Sequence, residues 1–385
     1  MTVRSKKLLL PATVLWCTAA AACTSFLVHP TVSETGRMLL HKCRDREKLG
    51  QLDANIRSSA DGVRWMQIGH SGIATFAMSS RGVAMTSNTG NKLEGWIVPA
   101  KKRKTPNWSF DRIMRLSPTA EAGIPLIKER QRNPGGIYLI ADAKNAFLVE
   151  IGAGYGEHLE IPGGLLVVAN EMHLPGIEER SGATAERVVM QRSREANTRA
   201  ALRKTRNRDG KYTRRGMFAA SRIICGTSPR TQNPFRKSSL SAVCFEPDPE
   251  FPAELSTAYI ALGPQRHTVY LPCPMALAQF PASFRDGSWA ERARELRRKL
   301  GNANPYLPRI VALEDEFLDE YDRTREAARE LLRSGKRAEA VKLLNDGFAH
   351  QFAAAEKLLD ECRRKAETDP QIPTEHSVKR KIKKN

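Results

Sequence analysis

Short runs of apolar residues alternate with turn signals over the first part of the chain, from residue 23 to about residue 95. Two of these runs, Thr24–His29 and Met38–His41, flank a stretch at 30–36 that contains Pro and Gly, and this arrangement predicts a β-hairpin. The same alternation predicts further strands along the chain. These strands are Val63–Ile68, Ile73–Met78, Val83–Ser87, Gly136–Asp142, Ala146–Ile151, Gly164–Asn170, 255–263 and 266–272.

Apolar positions spaced three to four residues apart predict helices in two parts of the chain. In the middle, the predicted helices are Asp111–Ala120, Ala122–Arg132 and a charged helix over 183–205. From Trp289 onward the spacing predicts a helical hairpin whose two arms separate at Gly335. Strands, helices, strands and helices in this order predict an α+β protein with antiparallel sheets.

The first residues have the three parts of a secretory signal peptide. A basic segment, Met1–Lys7, precedes a mostly apolar stretch, Leu8–Cys17, and Ala19–Ala22 supplies small residues for signal peptidase. Cleavage after Ala22 would make Cys23 the first residue of a secreted or periplasmic protein, with signal peptidase as its maturation partner. No later apolar run is long enough to span a bilayer, so no stable membrane span is expected.

The chain is strongly basic, with a formal net charge of +20 at pH 7. Such a charge favours anionic partners of several kinds. The lysines and arginines are spread along the chain, however, no nucleic-acid-binding motif accompanies them, and aromatic residues are only 6%. We therefore expect a solvated basic surface and no nucleic-acid partner.

The spacing of the potential ligand residues favours no metal or nucleotide site. The histidines do not form an H-E-x-x-H pattern, the cysteines form no C-x-x-C pair, and no Gly-Gly pair is followed by G-K-[ST]. No metal and no cofactor is therefore expected.

A cysteine at the head of a mature chain carries a thiol and a free α-amine on one carbon atom. The ordinary pKa values of the two groups lie close together, so the amine can accept the thiol proton and pass it to a departing amine. The alternative is a lipoprotein, because small residues before a cysteine also resemble a lipobox. The apolar residue usual three positions before that cysteine is replaced by Ala20. This segment alone leaves both interpretations open for Cys23.

The residues from Cys23 onward resemble the start of the choloylglycine hydrolase and penicillin acyltransferase families, which are N-terminal nucleophile (Ntn) hydrolases. An opening Cys-Thr strand is followed, after a hairpin, by a second strand that ends in His41–Asp45. In these families the second strand ends in Gly-Arg/Lys-Asn-x-Asp. The resemblance implies that Lys42 is the basic residue, that Asp45 holds the amine of the nucleophile, and that Cys43 replaces the usual Asn at a substrate-binding position.

Two later asparagines match the same families. Asn88, in Gly-Val-Ala-Met-Thr-Ser-Asn, resembles the residue that contacts the acyl carbonyl, and Asn170, after Leu-Leu-Val-Val-Ala, resembles the residue whose amide donates to the oxyanion. The families often have a late arginine near the active site. Three arginines precede the segment Ser241–Phe245, and the sequence does not decide which of them approaches the site. They are Arg222, Arg230 and Arg236.

The resemblance implies a four-layer αββα sandwich of two antiparallel sheets, with a C-terminal helical hairpin. It also implies a cysteine-nucleophile amidohydrolase, acyltransferase or peptidase that cleaves a linear amide C–N bond in a small molecule or peptide through a thioester. Two alternatives stay open. One is a non-enzymatic envelope lipoprotein anchored through lipidated Cys23. The other is an inactive family member with a binding role, which the replacement by Cys43 would allow.

These patterns divide the chain into four segments. A signal peptide over 1–22 precedes an Ntn-hydrolase domain over 23–285. A helical extension over 286–367 is expected to pack on that domain, and a basic disordered tail is expected over 368–385.

Overall fold

The computed structural model describes residues 23–46, 50–70, 73–91, 109–130, 135–152, 155–224 and 233–368. The predicted signal peptide and the basic tail beyond Thr368 lie outside these ranges, as do Cys225 and Arg230.

The strands within the described ranges form two sheets in which every neighbouring pair is antiparallel. The strands are β1 (Thr24–Val28), β2 (Leu39–Asp45), β3 (Leu52–Ser58), β4 (Arg64–His70), β5 (Ile73–Ser79), β6 (Ala84–Thr89), β7 (Gly136–Ala141), β8 (Ala146–Gly152), β9 (Tyr155–Glu160), β10 (Leu165–Val168), β11 (Ser239–Glu246), β12 (Thr257–Ala261) and β13 (Leu271–Pro274). The first sheet has the order β10-β1-β2-β11-β12-β13, and the second runs in sequence order from β3 to β9.

The helices fall into a middle group and a C-terminal group. They are α1 (Phe110–Leu116), α2 (Ala120–Lys128), α3 (Ala185–Lys204), α4 (Arg214–Ser221), α5 (Pro252–Leu255), α6 (Ala282–Arg285), α7 (Ser288–Leu300), α8 (Leu307–Arg333) and α9 (Arg337–Thr368). None of those in the described part of the chain has an apolar stretch of the length that a bilayer crossing needs.

The two sheets pack face to face through buried apolar side chains, such as Leu27 and Leu40 of the first sheet and Phe76 of the second. Helices cover both outer faces. Side chains of α1 and α2 pack on the second sheet, and side chains of α3, α4 and α8 pack on the first, where Met217 and Phe26 share a cluster. The layers therefore run helix, sheet, sheet, helix, and the predicted α+β fold class is confirmed.

The C-terminal hairpin of α8 and α9 turns at Gly335, as the spacing predicts. Gly335 has a φ of 74°, its N–H donates to the Leu332 carbonyl oxygen at 3.0 Å, and the N–H of Lys336 donates to the Leu331 carbonyl oxygen at 2.8 Å. This pair of bonds closes the last turn of α8 in the left-handed geometry that favours glycine.

A buried group of ion pairs ties α8 to the end of β11. Arg325 donates to Glu246 at 2.7 Å and to Asp248 at 3.1 Å, and all three side chains are almost fully buried. Arg329 adds a second contact to Asp248 at 2.6 Å. The arginines hold the pKa of Glu246 at about 2, against the upward effect of burial.

The structure corrects the prediction of a strand over 266–272. Residues 264–267 form a turn instead, in which the His267 N–H donates to the Pro264 carbonyl oxygen at 2.7 Å, and β13 begins only at Leu271. Three strands, β3, β9 and β11, were also missed. Both β3 and β9 are edge strands of the second sheet. β9 is mostly polar and lacks the apolar alternation that marks a strand. Along β3, however, Leu52, Ala54 and Ile56 do alternate with polar residues, so its pattern is that of a strand.

Candidate active site

Cys23 lies at the head of β1, an inner strand with hydrogen-bonded neighbours on both sides. On one side Ser25 pairs with Val168 of β10, and on the other Thr24 pairs with Cys43 of β2. The Cys23 side chain is only 7% exposed. The ladders on both flanks therefore fix the place of this residue in the first sheet.

Alternation along β2 separates its side chains into two groups. Leu40 belongs to the core between the sheets, whereas Leu39 and Cys43 belong to the layer between the first sheet and the helices. Lys42 and Arg44 follow Leu40 in phase and reach residues of the second sheet, whose Thr75 accepts from Arg44 at 2.5 Å. The two predicted residues Lys42 and Cys43 thus lie on opposite faces.

Lys42 is completely buried, and its ammonium interacts electrostatically with the Cys23 thiol. Its ammonium donates to the Ser87 carbonyl oxygen at 2.7 Å and to the side-chain oxygen of Asn88. Burial lowers the pKa of Lys42, and a hydrogen bond with the Cys23 side chain acts in the opposite direction. A cation held in this place favours the thiolate form of a neighbouring cysteine.

Asn88, on β6 of the second sheet, connects that sheet to the first next to Lys42. Its side-chain oxygen also accepts from the Ser25 hydroxyl at 2.9 Å, and its amide nitrogen donates to the carbonyl oxygens of Val168 at 3.2 Å and Ala169 at 2.5 Å. Both amide hydrogens are engaged in these two bonds. A contact with an acyl carbonyl, as the resemblance implies for Asn88, would therefore require one of them to break.

Asn170 lies two residues past the end of β10, fully buried. Its amide nitrogen donates to the Thr89 carbonyl oxygen at 2.6 Å, and its side-chain oxygen accepts from Arg194 at 3.1 Å. One of its two amide hydrogens is used by Thr89, so the other can serve a ligand. The predicted role of Asn170 as an oxyanion donor stays a prediction.

The segment that carries Asn170 is held by two buried carboxylates. Glu195 of α3 accepts from the Ala169 N–H at 2.8 Å, and Glu150 of β8 accepts from the N–H groups of His173 and Leu174. Burial raises the pKa of both carboxyl groups to about 7. These bonds fix the backbone on both sides of the asparagine.

Arg194 of α3 is a site residue that the sequence did not reveal. Its Nη1 atom donates to the backbone oxygen of Cys23 at 3.0 Å as well as to Asn170. Among the described residues, its Nε and Nη2 atoms have no hydrogen-bond partner, although the side chain is fully buried. Burial lowers the pKa of Arg194 to about 10. The site therefore holds a buried guanidinium with donors to spare.

Asp45 ends β2 two positions beyond Cys43, which pairs with Thr24 of β1. Its Oδ1 atom accepts from the Ser239 hydroxyl at 2.6 Å, whereas Oδ2 is buried with no hydrogen-bond partner in the described part of the chain. Burial raises the pKa of Asp45 to about 6. An unsatisfied buried carboxylate oxygen is a suitable acceptor for an amine at this strand end.

Cys43 is buried between the first sheet and the helices. Its sulfur lies 3.9 Å from Nδ1 of His41, and burial raises the pKa of its thiol. The structure thus places Cys43 in an apolar layer behind the strand. Its implied contact with substrate stays a prediction.

The sequence also left open which late arginine approaches the site. Arg222 is bound to Glu314 through two bonds at 2.5 and 2.6 Å, so it is committed to α8. Arg236 lies close enough to influence Asp45 and Arg194 electrostatically. The sequence does contain a weak signal for Arg194, because the buried residues of α3 recur at helical spacing. Most of these residues are polar, however, so in the sequence they resemble the solvent-exposed face of a helix.

No cluster of His, Cys, Asp and Glu that could hold a metal ion occurs among the described residues. The site instead gathers a thiol, two lysine or arginine cations, a carboxylate and an amide around the head of one strand. These groups come from β1, β2, α3 and the segment after β10.

Comparison with known proteins gives structural similarities only. No protein-family model matches the chain, and no curated protein sequence matches it. Among solved structures, the chain is similar to penicillin V acylase from Agrobacterium tumefaciens, with 11% identity, a TM-score of 0.33, and coverage of 62% of this chain and 86% of that one.

Two structures of conjugated bile acid hydrolase from Clostridium perfringens are similar as well. Both are 10% identical to this chain, with TM-scores of 0.36 and 0.34. The alignments cover 66% and 68% of this chain and 92% and 98% of those chains. These proteins are of the types that the motifs around Cys23 resemble.

Proposed function

We propose that this protein is an exported amide hydrolase whose nucleophile is Cys23, set free by cleavage after Ala22. The substrate is a linear amide, and the reaction passes through a thioester on the cysteine. Transfer of the acyl group to a second amine is the variant of the same chemistry.

One observation carries this proposal. The Cys23 thiol interacts with Lys42 of the neighbouring strand. The backbone oxygen of Cys23 accepts a hydrogen bond from Arg194, which also donates to Asn170, and Asp45 ends the same strand as Lys42. Buried charges are expensive unless they serve a structural or chemical purpose. Their concentration around one thiol supports a reactive centre.

The chemistry follows from these positions. The free α-amine of Cys23 accepts the thiol proton, the sulfur attacks the carbonyl carbon, and a C–S bond forms. The charge that develops on the oxygen is stabilised by the amide hydrogen that Asn170 has left and by the spare donors of Arg194. The C–N bond then breaks as the amine of Cys23 protonates the leaving nitrogen, and water releases the acid from the thioester.

Asp45 and Lys42 would act on the nucleophile itself. The free oxygen of Asp45 would accept a hydrogen bond from the α-amine and hold it beside the sulfur. Lys42 would favour the thiolate through its charge. Asp45 thus acts as a positioning residue and Lys42 acts through its charge. Neither residue transfers a proton in the reaction.

The burial of Cys23 argues against the lipoprotein alternative. A thiol that carries a membrane anchor has to reach the lipid surface, whereas this side chain is 7% exposed and packed against Lys42. An inactive relative is distinguished from an enzyme only by assay.

The test begins with the mature protein secreted from its own signal sequence. Mass spectrometry of the N-terminal peptide should show Cys23 first, with an unmodified amine and thiol. A panel of N-acyl amides should then show release of an amine that is lost in C23A and reduced at least a thousandfold in C23S.

The matched control is C273A, which removes a buried thiol from β13, at the far edge of the first sheet. This variant should keep the activity of the unsubstituted enzyme. A diacylglyceryl group on Cys23, retention of Ala22 in the secreted protein, or equal activity in C23A and C273A would each refute the proposal.

A further inference from the structure

A cavity of about 730 Å³ lies against the Asp45 side of the site. Its wall includes Ser239, whose hydroxyl binds Asp45, and Arg46, which follows Asp45 directly. A volume of this size fits a small molecule rather than a polymer. The cavity is therefore connected to the site through the hydrogen bond between Ser239 and Asp45, and it has room for part of a substrate.

The charges that line this cavity have one sign. Its cationic side chains are Arg46, Arg236, Lys237, Arg294, Arg297 and Arg298. No aspartate or glutamate is among the described residues of the lining. Cations that converge on a concave surface concentrate positive potential there.

Two arginines of this cavity, Arg46 and Arg236, differ from its Arg294 and Arg298, which pair with Glu291 outside the lining at 2.5 and 3.0 Å. In the helical part, Arg325, Arg329 and Arg292 are each paired with carboxylates at 3.3 Å or less. Arg46 and Arg236, by contrast, form no ion pair with a described carboxylate. Arg46 contacts the ring of His70, and Asp45 lies within electrostatic range of Arg236, so the positive charge of the two arginines is only partly compensated and a ligand could compensate the rest.

The wall of the cavity is also rigid. Arg297 donates to the backbone oxygens of Arg236 and Ser239, at 2.9 and 3.1 Å, and the Arg46 N–H donates to the Ser238 oxygen at 2.9 Å. These bonds hold the turn from 236 to 239 in place. The guanidinium of Arg236 is thus presented on a fixed backbone, which lowers the entropy lost on binding.

Arg194 continues the same field inward. It lies within electrostatic range of both Arg236 and Asp45, and its Nε and Nη2 atoms have no partner among the described residues, although it is fully buried. Because Arg194 also donates to the Cys23 backbone oxygen, it links the electrostatic surroundings of Arg236 to the site.

We propose that this cavity binds the anionic part of the amide substrate and that the preferred substrate carries two negative charges there, as a dicarboxylate does. Two charges match the two arginines, Arg46 and Arg236, that lack carboxylate partners. This inference rests on the function proposed above, because it takes the ligand to be the amide that Cys23 cleaves.

The test separates binding from reaction by using the mature chain with the C23A substitution. Calorimetric titration compares N-benzoyl-L-glutamate, with two charges, N-benzoylglycine, with one, and N-benzoylglycinamide, with none. The dianion should bind at least tenfold more tightly than the monoanion, and its affinity should fall as salt is raised.

Variants locate the effect. R236Q and R46Q, each on the C23A background, should weaken binding of the dianion about tenfold or more, as expected for loss of a charged contact, and leave the neutral amide unaffected. R333Q is the control, because Arg333 is half exposed on α8 and pairs with Glu250. It should change nothing.

The inference is overturned if the three ligands bind alike, if none binds, or if R236Q and R46Q bind the dianion like R333Q. Its failure differs from failure of the proposed function. Cleavage of amides without preference for the dianion would leave the hydrolase and remove this inference. Tight binding of the dianion that depends on Arg236, without cleavage by the unsubstituted enzyme, would keep the anion-binding cavity and remove the proposed hydrolase.

Discussion

Replacing Arg325 by Met tests how much the buried ion pairs hold the C-terminal helices on the first sheet. The substitution removes bonds of 2.7 and 3.1 Å to Glu246 and Asp248. Both carboxylates stay buried. Glu246 keeps Arg37 at 3.3 Å, and Asp248 keeps Arg329 at 2.6 Å.

The magnitude follows from these remaining contacts. Breaking a buried ion pair by removing one partner costs about 3–5 kcal/mol. Because each carboxylate of this pair keeps another arginine, we expect the lower end, about 3 kcal/mol. With an unfolding entropy of roughly 2.1 cal/mol/K per residue, a folded region as long as 23–368 corresponds to about 0.7 kcal/mol/K. The melting temperature of R325M should therefore fall by about 4 °C.

The assay is thermal unfolding followed by calorimetry at pH 7, with R333M as the matched control. Arg333 lies on the same helix, but it is 51% exposed, and exposed pairs contribute about 0–1 kcal/mol. A melting temperature of R325M within 1 °C of R333M would refute the reasoning, since the buried pairs would then contribute no more than the exposed ones.

The pH dependence gives a second check on the same network. The pKa of Glu246 is lowered to about 2, below its ordinary value of 4.5. The stability from its ionised form is therefore present above pH 4.5 and lost as the pH falls towards 2. R325M removes the largest electrostatic cause of that lowering, so its stability should fall less between pH 5 and pH 2 than that of the unsubstituted protein.

Three further predictions concern single residues. In E195Q, the melting temperature should fall less steeply between pH 5 and pH 8 than in the unsubstituted protein. The pKa of Glu195 is raised to about 7, so its protonated form stabilises the fold at low pH and that stability is lost as the pH rises through 7. An unchanged slope of melting temperature against pH would contradict this. S239A removes the hydroxyl that lowers the pKa of Asp45, so the acid limb of the pH profile of kcat/KM should move up by about one pH unit. An acid limb that does not move would show that ionisation of Asp45 does not control kcat/KM. G335A should lower the free energy of unfolding in urea by roughly 1–2 kcal/mol, because the φ of Gly335 is 74°. No atom lies within 4 Å of an added Cβ, so a steric clash is excluded as the cause. A decrease below about 0.3 kcal/mol would show that the turn relaxes.

The sequence predicted the parts of this fold whose pattern is local. The hairpin of β1 and β2 has a short apolar run on each side of a turn, and the break at Gly335 interrupts a regular helical spacing. Lys42 and Asp45 could be proposed as site residues for the same reason, since they lie on a strand that starts within twenty residues of Cys23 and pairs with β1.

The rest depends on contacts between distant parts of the chain. Arg194 reaches Cys23 across 171 positions, and Ser239 reaches Asp45 across 194. A buried charge has no periodic signature of its own, because its burial is decided by the partner that compensates it. The edge strand β9 was missed because one side of it is open to solvent and its residues are mostly polar. The edge strand β3, by contrast, carries a local signal in the alternation of Leu52, Ala54 and Ile56.

The double pairing of β1 has a consequence for activation. Both neighbours of this strand, β2 and β10, come after Cys23 in the chain, so the pairing that positions Cys23 uses no residue of the segment before it. If Cys23 acts as proposed, the precursor is a latent enzyme that lacks only its proton acceptor, and a single scission switches it on without any refolding. A precursor kept intact inside the cell would then be folded but harmless to cytoplasmic amides.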